Sequence, residues 1–216
     1  MTTIRIFFEK CGESAYISLL DLQRVFHRVL KRSGLPVWYT MGFNPHIYLS
    51  FSCPLSLGQE SLCESCEVKT EAESIDPAAW ITALQPLMPR GIVITKVAPA
   101  VEKVGEIETA AYDVTMPADA ADAIAFYNAA KHAEVTKKTK RGHKTLDLKE
   151  HLPRIDYESA GEELHFTVKL PCGSGEALNL NPALLMDFLH ENGGAPAWQC
   201  RVLRTHLYTK SGADFA

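Results

Sequence analysis

Two clusters of basic side chains are the strongest candidates for a binding site in a chain whose net charge is −4. Arg24, Arg28 and Lys31 are spaced by four and three residues, which keeps them on one face of a helix. The segment KKTKRGHKT, residues 137–145, contains five Lys or Arg in nine positions. A local positive field attracts phosphate even when the whole chain is acidic, so both clusters predict contact with RNA.

Each cluster also has a simpler interpretation. The helix residues can form a solvated face whose later members complement the negative end of the helix dipole. The 137–145 segment can be a solvated loop that helps to keep the chain dissolved. An acidic protein surface is a further partner that would relieve the repulsion within such a segment. The sequence leaves these alternatives open.

The segment GFNPHIYLSFSCPLSLG, residues 42–58, is rich in turn-forming and aromatic residues. From His46 to Cys53 polar and apolar residues alternate, and this period of two predicts a strand with one apolar face. His46 and Tyr48 would then point away from the core, where aromatic side chains of RNA-binding sheets stack on bases. The alternative is a strand without a ligand, held between two turns, with Phe43 buried under the loop.

These three regions together predict one set of side chains that bind RNA or a protein partner. The set combines cations that hold phosphate with polar and aromatic groups that contact bases. Its members are Arg24, Arg28, Lys31, Asn44, His46, Tyr48, Lys137, Lys138, Lys140, Arg141 and Lys144.

Residues for catalysis are far less well specified. His46 is the candidate proton donor, but the sequence identifies no partner for it, and a general base requires a positioned partner. Histidine motifs for zinc, the nucleophile elbow and the nucleotide-binding glycine motifs are absent. Cys63 and Cys66 form a lone CxxC, whereas a structural zinc needs four ligands. We therefore expect no metal and no cofactor, and a binding protein rather than an enzyme.

The elements that must position these residues alternate between strands and helices. In the first half a capping box at Ser18–Asp21 begins a helix that runs to about Ser33, and Asp76-Pro77 begins a second helix that runs to about Leu87. The extended segments of this half are predicted at Thr3–Glu9, Pro36–Tyr39 with Ile47–Ser52, Ser61–Thr70 and Ile92–Val97.

The same order then begins again. Asp119–Lys131 is predicted as a helix, and a further helix begins at Asn181-Pro182 and ends at Asn192–Gly194. The extended segments of the second half are predicted at Tyr112–Met116, Glu134–Lys140, Leu164–Leu170 and Gln199–Thr209.

The order β-α-β-β-α-β in each half is that of a ferredoxin-like domain. We predict an α+β fold with two ferredoxin-like units in tandem, at residues 1–100 and 110–210, followed by a tail at 211–216. A long basic loop at 134–154 is inserted between the middle strands of the second unit. The packing of the two halves is not determined by these patterns.

The N-terminal segment carries a charge at its fifth residue and has no apolar run of signal-peptide length. No segment approaches the roughly 20 apolar residues that cross a bilayer. Six scattered cysteines are typical of reduced thiols in a cytosolic protein. We expect a cytoplasmic protein with no membrane partner and no DNA partner.

Several of these residues also form a family pattern, which begins with SLLDLQR at residues 18–24, GLP at 34–36, GFNP at 42–45 and PLSLG at 54–58. Further matches are KRG at 140–142, Leu146-Asp147, Asn181-Pro182 and Arg204-Thr205. With these motifs the chain resembles a bacterial radical-SAM-associated domain of unknown function. In that family the domain occurs alone or appended to a cobalamin-binding radical SAM protein.

The resemblance implies a standalone accessory of a radical SAM enzyme and supplies no reaction. The chain departs from the family at Leu19, where the family has histidine, so a role of that histidine does not carry over. The CxxxCxxC motif of a radical SAM core is absent from the chain, which therefore cannot hold that iron–sulfur cluster itself.

Three functions remain open from the sequence. The first is a module that binds RNA through its basic face and presents it to the radical SAM partner. The second is a module that docks on that partner without contacting RNA. The third is an RNA-modifying or RNA-cleaving enzyme that uses His46.

Overall fold

The computed structural model describes residues 1–139, 142–174 and 177–216, with the backbone alone for residues 138 and 139. The protein is a mixed α+β structure in which four α-helices accompany a core made mostly of β-sheet within the described residues. The chain divides into two compact units, one formed by Met1–Glu106 with Ala216 and the other by Ile107–Phe215.

The first unit contains a four-stranded antiparallel arrangement in the order β4-β1-β3-β2. One helix connects β1 to β2 and another connects β3 to β4. The bounds are β1 Thr2–Lys10, α1 Leu19–Arg32, β2 Leu49–Phe51, β3 Glu60–Thr70, α2 Pro77–Leu84 and β4 Ile92–Pro99.

Helix α1 forms where the sequence predicts it. The Ser18 hydroxyl accepts a hydrogen bond from the Asp21 N–H at 3.2 Å and so satisfies one of the free amides at the helix start. Phe26 lies on the buried face, 4.9 Å from the ring of Phe8 on β1. The chain leaves the helix at Gly34, whose φ of +71° suits glycine. The predicted helix is therefore confirmed to within a residue or two.

The core of the first unit lies between its helices and one face of its sheet. Apolar residues of β1, β3 and β4 pack there against α1 and α2. Because side chains of a strand alternate between faces, the intervening residues occupy the opposite face of the sheet, called the open face below, although Arg5 is fully buried on it. The core includes Ile4, Ile6, Phe8, Leu22, Phe26, Cys66, Val68, Trp80, Leu84, Ile92, Ile94 and Val97.

The strand predicted from His46 to Cys53 is shorter than the alternation suggests. Only Leu49–Phe51 pairs with β3, and Ile47 forms an isolated bridge with Tyr39. His46 therefore lies in a turn that precedes the strand and not within it. The correction has a local cause, since the Thr40 and His46 side chains hydrogen-bond each other and close the turn.

The second unit repeats the strand order of the first, with a separate pair of strands inserted. Its sheet is antiparallel in the order β10-β5-β9-β8, and β6 pairs only with β7. The bounds are β5 Ile107–Pro117, α3 Ala121–Ala129, β6 Glu134–Thr139, β7 Gly142–Asp147, β8 Glu158–Ala160, β9 Glu163–Pro171, α4 Pro182–Glu191 and β10 Arg201–Thr209.

The prediction that Glu134–Lys140 is a middle strand of this sheet is wrong. Residues 134–139 pair with β7 as a two-stranded basic ribbon, and β8 takes the place beside β9. Strand β8 has three residues, all exposed, so it carries no hydrophobic alternation that would reveal it. The predicted loop at 134–154 is thus largely the basic ribbon, defined here as β6 and β7.

The tail at 211–216 folds back on β10 through backbone hydrogen bonds. The N–H of Thr209 donates to Ala213 O, and the N–H of Phe215 donates to Leu207 O.

Helices α3 and α4 contact each other through Tyr127 and Phe188, whose rings meet edge to face at 5.7 Å. No helix in the described part of the chain is long and apolar enough to cross a membrane.

Candidate nucleic-acid interface

The basic face of α1 is open to solvent. Arg24, Arg28 and Lys31 are all exposed, because the spacing that groups them places them away from the buried face around Phe26. Arg24 forms an ion pair with Asp21 at 2.8 Å on the same helix. The guanidinium of Arg28 and the ammonium of Lys31 extend the positive face toward the end of the helix.

A short loop beside the strand β2 projects an aromatic side chain into solvent. The Thr40 N–H donates to His46 O at 2.8 Å, and the His46 N–H donates to the Thr40 hydroxyl at 3.1 Å, so residues 41–45 are held as a closed loop. Phe43 at its tip is fully exposed, and Met41 is 89% exposed. The interpretation that buries Phe43 under the loop is therefore wrong.

The loop and the basic helix lie near each other. Burial lowers the pKa of His27 on α1, and the positive charge of His46 lowers that pKa further. An electrostatic interaction of this kind requires proximity, since exposed charges are screened beyond roughly 10 Å. His46, at the base of the loop, therefore lies near His27, which stands between Arg24 and Arg28 in the sequence of α1.

Tyr48 occupies the open face of the sheet, as the alternation predicts, and it is half-buried. The ammonium of Lys69 lies 4.6 Å from the centroid of the Tyr48 ring and 5.3 Å from that of Trp38. The Trp38 N–H donates to Lys69 O, which fixes the two residues side by side. Lys69 and Trp38 were not predicted as site residues, although Lys69 alternates with buried Val68 and Thr70 along β3.

The same open face continues across β1 and β4. Phe7 is half-buried there, with the Lys96 ammonium 5.0 Å from its ring centroid and the Arg5 guanidinium at 5.9 Å. Arg5 is fully buried: its guanidinium forms an ion pair with Glu67 at 2.8 Å and donates to Ala216 O and Glu102 O, so it presents no charge to solvent. The ammonium groups of Lys69 and Lys96 thus lie over aromatic rings on this face, and cations beside aromatic rings are also typical of surfaces that hold RNA bases and backbone.

The basic ribbon forms the second cationic surface. Lys137 lies directly opposite Lys144, and Lys138 lies directly opposite His143. Lys144 is exposed, whereas Lys137 is half-buried and donates from its ammonium to Asn179 O at 2.5 Å. Lys140 and Arg141, which complete the predicted set, lie outside the described residues.

One carboxylate anchors the base of the ribbon. Asp147 accepts hydrogen bonds from the N–H groups of Ala133 and Lys149, at 2.8 and 3.0 Å. Its other oxygen lies 2.8 Å from Nδ1 of His132. These contacts, the Ala133 N–H first, lower the pKa of Asp147, so the carboxylate stays ionised and holds both ends of the ribbon together.

Groups that could carry out chemistry have unremarkable surroundings. His46 Nδ1 lies 3.0 Å from the Thr40 hydroxyl and 3.2 Å from Asn44 O, and no carboxylate is among its hydrogen-bond partners in the described part of the chain. Cys66 lies in the core, where burial raises the pKa of its thiol well above the ordinary value. Neither group has the environment of an activated base or nucleophile.

A protein-family model described as "Uncharacterized protein conserved in bacteria (DUF2344)" matches residues 3–182. The matched span includes α1, the loop at 41–45 and both strands of the basic ribbon. None of the curated proteins matches the chain. The family description assigns no activity.

Proposed function

The chain belongs to the uncharacterized bacterial family DUF2344, and from that premise we propose that it is an RNA-binding accessory module of a radical SAM enzyme. In this proposal it acts in the cytoplasm, binds RNA through its basic surfaces and presents the RNA to the partner. The link to a radical SAM enzyme rests on the motif resemblance at residues 18–24, 42–45 and 54–58.

The scaffold in this proposal is a pair of ferredoxin-like units. Support comes from the antiparallel strand orders, β4-β1-β3-β2 in one unit and β10-β5-β9-β8 in the other. Each sheet of this kind has helices on one face and leaves the other face available for a ligand. The basic ribbon is then an insertion into the second unit.

One observation carries the proposal: the first unit exposes three cations on α1 and also exposes Phe43 at the tip of a loop. Cations neutralise phosphates, and an exposed aromatic ring stacks on an unpaired base. A surface that served only solubility would not require an exposed phenylalanine, because exposing its ring to water is unfavourable.

The basic ribbon supports the same function independently. Lysines that face each other across two strands repel, so the ribbon is less stable than one with opposite charges at those positions. A polyanion that binds across the ribbon removes this repulsion. The repulsion destabilises the free protein, which is expected when the lysines serve to bind a ligand.

Fluorescence anisotropy with tRNA and rRNA fragments at about 50 mM and about 200 mM salt tests the proposal. The double variant Arg24→Gln/Arg28→Gln removes two cations of α1. Arg90→Gln/Lys103→Gln is the matched control, because Arg90, like Arg24, is exposed and ion-paired, here to Glu13. Lys103 matches Arg28 as an exposed cation.

We expect the wild-type protein to bind RNA with an affinity that falls as salt rises. If each lost contact changes the slope of log affinity against log salt by about 0.7, the α1 variant lowers the slope by about 1.4 and the affinity at about 0.1 M salt by roughly 25-fold. The control pair should stay close to wild type. An absence of wild-type binding at about 50 mM salt, or equal losses in both variants, would overturn the proposal.

Docking on the radical SAM partner without RNA contact is the second candidate. It is favoured by a group of exposed apolar side chains near the start of α1. Tyr16, Leu19 and Leu20, together with Leu57 from the segment after β2, are 43 to 73% exposed. The N–H of Gly58 donates to Ala15 O, so the segment after β2 lies against this end of the helix. Titration of the purified partner by calorimetry separates the candidates, since Leu20→Ser should weaken docking and leave RNA affinity unchanged.

A further inference from the structure

The open face of the second unit carries an aromatic pair that no function above uses. The rings of His206 and Tyr208 on β10 stack with centroids 5.7 Å apart and an angle of 13° between their planes. The ammonium of Lys169 on β9 lies 4.1 Å from the centroid of the Tyr208 ring. His206 and Lys169 are both exposed. In the sheet register each lies directly opposite Ala111 of β5, one on either side of that strand.

A cleft of about 450 Å³ opens on the same face. The volume falls within the range of about 300–1,000 Å³ that is typical of small-ligand sites. Residues of β5, β8 and β9 line it, together with the segment before β8 that contains Tyr157, whose side chain remains 39% exposed. Its polar lining consists of three acidic residues, Asp113, Asp156 and Glu158, with Thr115, Tyr157, His165 and Thr167.

The carboxylates of the cleft favour a ligand that donates hydrogen bonds. Thr167 donates from its hydroxyl to one oxygen of Asp113 at 2.9 Å, which holds that carboxylate in place. Thr115 and His165 contact each other at 3.1 Å. Asp113 and Glu158 add carboxylate oxygens, which accept hydrogen bonds. A neutral ring bearing N–H groups is therefore complementary to the cleft, whereas a phosphate group is not.

The cleft and the aromatic pair follow one another along β9. His165, Thr167 and Lys169 occupy alternate positions and so point to the same face. At about 3.3 Å per residue, Lys169 lies roughly 13 Å along the strand from His165. The cation is thus placed beyond the acidic cleft, where it can contact a phosphate without competing with the carboxylates.

We propose that this face binds unpaired nucleotides of the RNA, with one base stacked on His206 and Tyr208 and a neighbouring base, guanine in preference to uracil, in the cleft. The inference rests on the proposed function and adds the class of RNA that is bound. Guanine presents a ring N–H beside an amino group, and these two donors match the two oxygens of a carboxylate such as Glu158. Uracil presents one N–H between two carbonyl oxygens, which the carboxylates repel.

The geometry selects single-stranded RNA over a duplex. In a duplex the bases are stacked and paired, and only their edges are accessible in the grooves. A base that stacks on His206, or a neighbouring base that enters the cleft, must be unstacked first, as in loops, bulges and ends. A metal ion is a poorer occupant, because no cluster of three metal-ligating side chains is present within the described residues.

Two measurements on the full chain test the inference. Anisotropy compares guanine-rich, uracil-rich and duplex RNA of equal length, and saturation-transfer NMR compares guanosine and uridine monophosphates. Glu158→Gln removes one carboxylate of the cleft, and Glu162→Gln is its matched control, since Glu162 is exposed in the adjacent turn between β8 and β9 and does not line the cleft. His206→Ala removes the exposed ring of the stack, and circular dichroism checks that every variant is folded.

We expect wild-type protein to prefer the guanine-rich strand over the uracil-rich strand roughly five- to hundredfold, the range for one good bidentate contact. Glu158→Gln should abolish this preference and the guanosine monophosphate signal, whereas Glu162→Gln should keep both. His206→Ala should weaken both strands equally, because stacking does not depend on the base.

Failure of this inference differs from failure of the proposed function. Wild-type protein that binds RNA in a salt-dependent way, but with equal affinity for both strands or with a preference that Glu158→Gln retains, overturns the inference alone. Stronger binding of the duplex also overturns it. Wild-type protein that binds none of the RNAs overturns the proposed function, and with it the inference that rests on it.

Discussion

Lys137 and Lys144 occupy directly opposite positions on β6 and β7, so the basic ribbon holds two like charges at one rung of its ladder. Like charges at opposite positions destabilise a pair of strands by roughly 0.2–1 kcal/mol. Lys137 directs its ammonium to Asn179 O, whereas Lys144 remains exposed. A substitution that removes this repulsion should therefore raise the stability of the ribbon and lower its affinity for RNA.

The substitution Lys144→Glu tests that opposition. A glutamate opposite Lys137 converts repulsion into attraction, so the free energy of unfolding should rise by about 0.2–1 kcal/mol. RNA affinity should fall at the same time, because a phosphate-binding cation is replaced by an anion. Denaturant unfolding and anisotropy on the same preparation measure the two effects. Lys103→Glu makes an equal charge change elsewhere and should alter neither, and a ribbon variant that binds RNA as well as wild type would contradict the prediction.

Asp147 should control the stability of the ribbon base in a pH-dependent way. Its pKa in the folded protein is lowered, chiefly by the Ala133 N–H and then by His132. A carboxylate whose pKa is lower in the folded than in the unfolded protein stabilises the fold at pH values above the unfolded pKa, near 3.8. This stabilisation is lost as the pH falls through the lower pKa of the folded protein. At neutral pH, Asp147→Asn should lower the free energy of unfolding by about 1–2 kcal/mol.

The measurement for Asp147 is denaturant unfolding of wild type and variant at neutral pH and below pH 3.8. The difference between the two proteins should shrink as pH falls, because the wild-type carboxylate then becomes protonated and resembles the amide. A difference that is the same at both pH values would contradict a contribution of the Asp147 charge to stability.

Phe26 and Phe43 should separate packing from binding within the first unit. Phe26 is fully buried, with the rings of Phe8 and Phe51 at 4.9 and 5.5 Å, so Phe26→Ala should cost about 3–5 kcal/mol of unfolding free energy. Phe43 is fully exposed, so Phe43→Ala should change stability by less than about 0.5 kcal/mol. Loss of its stacking should weaken RNA binding by about 1–3 kcal/mol.

Denaturant unfolding and anisotropy check both halves of this comparison. Phe43→Trp is the control for Phe43→Ala, because it retains a ring that stacks and should retain the RNA affinity. A strongly destabilised Phe43→Ala would show that the loop packs against the protein. Unchanged RNA affinity in that variant would remove the loop from the interface.

Gly91 should tolerate no side chain. Its φ is +85°, and a Cβ there would lie 2.2 Å from the backbone oxygen of Cys11. The Gly91 carbonyl also accepts hydrogen bonds from the Cys11 N–H and the Ser14 hydroxyl, each at 2.9 Å. Backbone strain of this kind typically costs about 1–3 kcal/mol, and the clash with Cys11 adds to it. Gly91→Ala should therefore lower the free energy of unfolding by about 3 kcal/mol or more.

Gly34→Ala is the matched control for Gly91→Ala. Its φ is also positive, at +71°, but a Cβ would meet nothing within 4 Å. This control should cost only the strain, roughly 1 kcal/mol. Thermal unfolding of the two variants measures the difference, and equal losses would show that the close approach of Cys11 to Gly91 is not maintained in solution.

The sequence by itself determined the features that depend on neighbours along the chain. Ser18 caps α1, the spacing around Phe26 buries one side of that helix, and the spacing of Arg24, Arg28 and Lys31 exposes the other. These features could be predicted because capping and helical periodicity involve residues within about four positions of one another. The alternation that places Tyr48 on the open face is equally local.

Only the tertiary structure decided which strands pair and which side chains meet across them. Strand β6 could be recognised from its sequence, but its partner β7 and the three-residue strand β8 could not, because pairing depends on contacts that alternation does not encode. The positions of Lys69 beside Tyr48 and of Lys169 beside Tyr208 likewise join residues 21 and 39 positions apart. Such contacts arise when distant segments are brought together by burial of the core, which is why the candidate binding faces became visible only in the folded protein.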